Sequence, residues 1–177
     1  MNNIVLLVGK SGSGKSSIAF ELEKYGFKQL YSYTTRPPRY EGEKGHIFVT
    51  KKEFASMKDD MCAYTMFNGY EYGATNRLVD ESDVYVIDPE GVEYFLSAYK
   101  GCRNPIICLL CEDEKTLQDR MLKRGDSPDK VQERLAHDRV KFSDKALSRF
   151  SPDLLLSGMS IEDSAKLIAK FIGFCEA

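Results

Sequence analysis

With 177 residues, 42% of them apolar, and a formal net charge of -2 at pH 7, the chain has enough hydrophobic material for one packed domain and too little net charge to attract nucleic acid. Its apolar runs fall far short of the roughly 20 residues that cross a bilayer. Cys62, Cys102, Cys108, Cys111 and Cys175 form an odd set without disulfide-framework spacing, so a cytoplasmic protein is expected.

Residues 4–8 are a continuous apolar run ending in Gly9, the pattern of a parallel strand buried on both faces. After a glycine-rich turn, Ile18, Ala19 and Leu22 fall at helical spacing over 16–24, with Gly26 as the stop. A second strand is expected at 28–31. Residues 31–80 break this rhythm: alternating pieces at 46–49 and 64–67 surround a helix-like 51–58, which predicts a small mixed sheet inserted at one edge. Beyond residue 80, apolar runs at 84–87, 106–110 and 154–156 alternate with helical segments near 89–99, 114–124, 129–147 and 160–175. That alternation predicts an α/β fold, a three-layer parallel sheet with helices on both faces.

The most specific motif is 9-GKSGSGKS-16, a full match to G-x-x-x-x-G-K-[ST] between a strand and a helix. Gly9, Gly12 and Gly14 let successive N–H groups converge on phosphates in front of a helix N-terminus, and Ser11, Ser13 and Ser17 complete the set. Lys15 is suited to the β- and γ-phosphates of ATP, and the Ser16 hydroxyl to the Mg²⁺ that bridges them. A second oxyanion signal follows at 32-SYTTRPPR-39, where Arg36 and Arg39 flank two prolines behind hydroxyl residues. Two anion grips facing one crevice point to phosphoryl transfer between two bound ligands.

These segments, with Gly42–Glu43, 72-YGAT-75, 88-DPEGV-92 and 120-RMLKRG-125, resemble the guanylate kinase family in order along nearly the whole chain. The resemblance implies one domain over 1–177: a P-loop core (1–31 and 81–177), a mixed α+β insert for the nucleoside monophosphate (about 32–80) and a helical lid (about 120–140). It implies that Ser32, Arg36, Arg39 and Tyr72 hold the acceptor, and that Arg124 and Arg134, with Arg120 and Arg139 as further candidates, close over ATP. Lys15, Arg36, Arg124 and Arg134 are then the catalytic set. Asp88 has two readings, an acceptor or Mg²⁺-water ligand and the cap of the helix that starts at Pro89. His46 stands where the family usually has Tyr, and is either an acceptor contact or an edge-strand residue.

Ala63 occupies the position of the family's guanine-reading Glu, and Ala74 and Val86 replace other polar base-contacting residues. The expected activity is ATP- and Mg²⁺-dependent phosphorylation of a nucleoside monophosphate, GMP or dGMP first. The alternatives are another nucleotide, ribose 1,5-bisphosphate, or a non-catalytic interaction module of the kind found in scaffold proteins. Nucleotides are the expected partners, with no nucleic acid and no membrane, in a monomer or homodimer. Cys108 and Cys111, three apart on a strand, are expected as buried small hydrophobes and not as zinc ligands. Among the tyrosines of 64–72, only Tyr72 is expected to contact a ligand.

Overall fold

The computed structural model describes residues 2–175; the side chains of Phe174 and Cys175 lie outside the described set. Strands β1 (Asn3–Gly9), β6 (Val84–Val86), β7 (Asn104–Cys111) and β8 (Leu154–Ser157) form a parallel sheet in the order β6-β1-β7-β8. Every residue of β1 is buried, because alternate side chains feed two separate cores. Ile4, Leu6 and Val8 pack with Val92 and Phe95 of α4 (Pro89–Ala98). Val5 and Leu7 pack with Ile18 and Leu22 of α1 (Lys15–Glu23) and Ala165, Ile168 and Ile172 of α8 (Ile161–Cys175). The α/β fold expected from the sequence is therefore borne out, with helices on both faces of the sheet.

The segment expected as a second strand makes a single bridge, Gln29 to Val84, with the Leu30 N–H donating to the Val84 carbonyl at 2.7 Å. One bridge is too short to form a strand, because the chain leaves the core sheet at once for a second one. There β2 (Ser32–Thr34), β3 (His46–Phe48), β4 (Met61–Phe67) and β5 (Tyr70–Thr75) take the order β3-β2-β5-β4. The β2–β3 pair is parallel and the other two pairs are antiparallel. Between β3 and β4 lie α2 (Lys51–Ser56), started by a Thr50–Glu53 capping box, and a short 3₁₀ turn. Asn68 and Gly69, at φ of 50° and 77°, turn the β4–β5 hairpin. Cys62, Ala63 and Ala74 of this sheet belong to the same core as Phe95, which fixes the sheet against α4.

Between β5 and β6 runs α3 (Asn76–Asp80), and between β7 and β8 run α5 (Glu114–Lys123), α6 (Pro128–Lys141) and α7 (Asp144–Leu147). The helix expected over 129–147 is thus two helices, and Ser127 starts α6 without a side-chain cap bond. Leu117, Met121, Val131 and Leu135 join α5 to α6 in a small core of their own. Cys108 is buried, but Cys111, at the end of β7, is exposed, because the strand runs out of the core there.

The N-terminal ends of the strands are tied by a polar knot. Arg103 donates to the Asp80 carbonyl (3.0 and 2.8 Å), the Asn3 carbonyl (3.4 Å) and Asp83 Oδ1 (3.1 Å). The Asp80 carboxylate in turn accepts from the Tyr99 hydroxyl and the Cys102 N–H.

Candidate active site

The loop from Gly9 to Lys15 lies at the opposite, C-terminal end of the sheet, where open α/β sheets bind ligands. Gly12 and Gly14 adopt φ of 79° and 98°. A Cβ on Gly12 would stand 2.9 Å from the Leu117 carbonyl oxygen, and one on Gly14 2.8 Å from Ile161 Cδ1, so the loop can pass between α5 and α8 only without side chains there. Lys15 folds back over the loop, and its Nζ donates to the Gly9 and Lys10 carbonyls at 2.6 and 2.8 Å. Burial pulls the Lys15 ammonium down to about 8 from its ordinary 10.5, against an opposing pull from Asp138.

Two clefts meet at this lysine. One, of about 580 Å³, is lined by Gly12, Gly14, Lys15, Ser16 and Ser17 with Arg120, Arg124 and Arg134 opposite. Met159 and Ile161 close one side, and the rest of its wall is N–H groups, hydroxyls and cationic side chains, a donor set fit for a polyphosphate. No group of three or more His, Cys, Asp or Glu side chains fit to hold a metal ion occurs among the described residues. A divalent cation here would rely on phosphate oxygens, water and the exposed Ser16 hydroxyl, which suits Mg²⁺. Arg124 donates to Asp126 Oδ2 at 2.9 and 2.5 Å, and Arg134 Nε stands 3.9 Å from the same carboxylate. Arg139 is paired with Glu114 and lines neither cleft.

The other cleft, of about 400 Å³, lies between the second sheet and α6; it includes Ser11, Lys15, Ser32, His46, Tyr72 and Asp88. Ser32 Oγ lies 3.0 Å from His46 Nδ1, and His46 meets Tyr72 edge-on at 5.4 Å. Burial and the nearby Arg36 charge hold His46 below its usual imidazole range. Asp88 caps α4, accepting from the Gly91 N–H at 2.7 Å, while its other oxygen takes Lys141 Nζ at 2.6 Å.

The arginines of the second motif are placed differently from one another. Arg36, its side chain only 10% exposed, grips Glu43 with two N–H groups (3.2 and 2.8 Å), and its Nε is buried without a partner. That pair, with the Arg39 N–H at 2.6 Å, holds the Glu43 carboxyl down at about 2. The Arg39 side chain is 65% exposed and lines neither cleft.

Sequence reasoning missed several residues of this cleft: Tyr64, Thr65, Phe67, Asp138 and Lys141 all line it. Tyr64 also packs on Phe54 and Tyr94, so its packing role and its exposure to the cleft coexist. A signal for Asp138 was present, because Val131, Leu135 and Asp138 fall on one helical stripe where an acidic residue is out of place.

A family model described as an AAA domain matches residues 5–141. The chain belongs to the AAA-domain family. Its curated relatives include a guanylate kinase of Nitrosomonas europaea, 28% identical over 97% of this chain and 89% of that protein. Another is a guanylate kinase of Mycoplasmopsis pulmonis, 29% identical over 95% of this chain and 94% of that protein. Among solved structures, the guanylate kinase of Anaplasma phagocytophilum superposes with a TM-score of 0.61 at 21% identity, covering 96% of this chain and 84% of that one. The resemblance drawn from the ordered motifs is borne out by these relatives along nearly the full chain.

Proposed function

We propose that this chain transfers the γ-phosphoryl group of ATP to a nucleoside monophosphate, GMP or dGMP, in the cytoplasm. The broader statement, a nucleoside monophosphate kinase, rests on the guanylate kinase relatives. The observation that carries the reading is the pair of clefts sharing Ser11, Lys15 and Arg134, one walled by phosphate-type donors and the other by Ser32, His46, Tyr72 and Asp88, with Arg36 and Arg39 outside both.

In this reading the chain acts by positioning and charge, with no covalent intermediate. Loop N–H groups, Ser11 and Ser17 orient the triphosphate, and Ser16 would hold the Mg²⁺ that offsets its charge, while the Ser13 hydroxyl, expected in the set, is buried outside both clefts. Lys15 and Arg134, common to both clefts, face the phosphoryl group in transit, and Arg124 closes the polyphosphate side. Ser32, His46 and Tyr72 seat the acceptor phosphate, Arg36 adds its charge from behind Tyr72, and Arg39 folds inward from the exposed loop. The division into core, insert at 32–80 and lid at 120–140 follows from this assignment.

A second acceptor base is favoured by one feature. The wall formed by Ala63, Tyr85 and Val86 is apolar, and Thr65 Oγ1 is buried there without a partner. A guanine edge presents two adjacent donors, which a lone hydroxyl serves poorly. The same apolar wall favours a base over a phosphosugar. The test is a panel of nucleoside and sugar monophosphates scored by ADP release. GMP or dGMP should give the highest kcat/KM; another nucleotide in first place selects the second reading, and no release with any acceptor overturns the kinase assignment.

A further inference from the structure

Asp138 is 6% exposed, and its place on the buried stripe of α6 would ordinarily hold an apolar side chain. A buried carboxylate persists only with a partner. Here that partner is the Ser11 N–H, which donates to Oδ2 at 2.6 Å from within the phosphate-binding loop. Asp138 reaches it from a helix 127 residues away in sequence. One N–H cannot serve a carboxylate and a phosphate oxygen together, because two anions within hydrogen-bond distance of each other repel.

We infer that Asp138 and a nucleotide phosphate compete for one seat on the loop, the Ser11 N–H. Binding the nucleotide and detaching α6 from the loop are then one event. The detachment reaches the acceptor side, because α6 also supplies Lys141, bound to Asp88 and Glu90, and His137, whose ring meets Phe67 of the hairpin at 5.2 Å. A competing internal anion lowers apparent ATP affinity and couples occupancy of one cleft to the shape of the other. This inference rests on the reading of residues 9–16 as the ATP site.

The experiment is calorimetric titration of Mg·ATP, without acceptor, into the wild type, Asp138→Ala, Asp138→Asn and Val140→Ala. Asp138→Ala should bind ATP about tenfold more tightly, or ~1.4 kcal/mol. Asp138→Asn, whose amide oxygen can still accept from Ser11, should fall between it and the wild type. Val140→Ala, at an exposed position of α6 that lines neither cleft, leaves the seat occupied and should stay within about twofold of the wild type. If Asp138→Ala does not fold, the Asn variant decides. Unchanged or weaker ATP binding by the Asp138 variants, or equal tightening in Val140→Ala, overturns the inference alone. A wild type that binds no Mg·ATP overturns this inference and the kinase reading together.

Discussion

Replacing Glu43 by Gln tests how the loop between β2 and β3 is held. In the wild type the Glu43 carboxylate accepts two N–H groups of Arg36 and the backbone N–H of Arg39, which depresses its carboxyl from an ordinary 4.5 to about 2. Because the folded-state value lies below the unfolded one, the stabilisation is fully present above pH 4.5 and is lost as pH falls toward 2. A depression of that size corresponds to roughly 3 kcal/mol. The surrounding loop is exposed and screens the pair, so about 2 kcal/mol is the working figure. For a chain of this length that is a fall of roughly 4–8 °C in melting temperature at pH 7. Thermal melts followed by circular dichroism from pH 7 to pH 3 provide the assay, and the gap between the two proteins should shrink by more than half across the series. A gap that stays constant with pH, or a variant that melts within about 1 °C of the wild type at pH 7, refutes the reasoning.

Lys15→Ala should cut turnover by about 10³-fold or more with circular dichroism unchanged, and wild-type turnover in a coupled ADP assay would contradict the role given to Lys15. Since burial holds this ammonium at about 8, kcat/KM for ATP should decline as pH rises past 8, and a flat profile to pH 10 would show that its charge is not needed. Gly73→Ala should cost about 1–3 kcal/mol in urea unfolding, because the added Cβ would stand 2.8 Å from the Ala63 carbonyl oxygen. Ala63→Glu should raise kcat/KM for GMP relative to other monophosphates; a drop for GMP would place the guanine edge elsewhere.

How much of this was legible in the sequence depended on whether the determinant was local. The apolar run of β1, the glycines of the loop and the helical spacing of Ile18, Ala19 and Leu22 are local, and each element formed within one or two residues of the expected bounds. Residues 28–31 carried a strand-like pattern, but their extent was decided by where the chain leaves β6 for the second sheet. In the same way, Arg36 and Arg39 read alike in sequence and differ in space: Glu43 turns one inward and leaves the other exposed. Asp138 could be flagged as an acidic residue on an apolar stripe, yet its partner in the loop is far away in the chain and no spacing rule reaches it.

The knot around Arg103 has a further consequence. It fastens the starts of three strands and the end of α3, while the loop and both clefts sit where β1 and β6 finish. Anchorage and chemistry thus occupy opposite rims of the sheet. Damage at Asp80, Tyr99 or Arg103 should show as poor yield and early melting in protein that still turns over at the normal rate per folded molecule. Selection for a new acceptor can work at the far rim without touching this ballast.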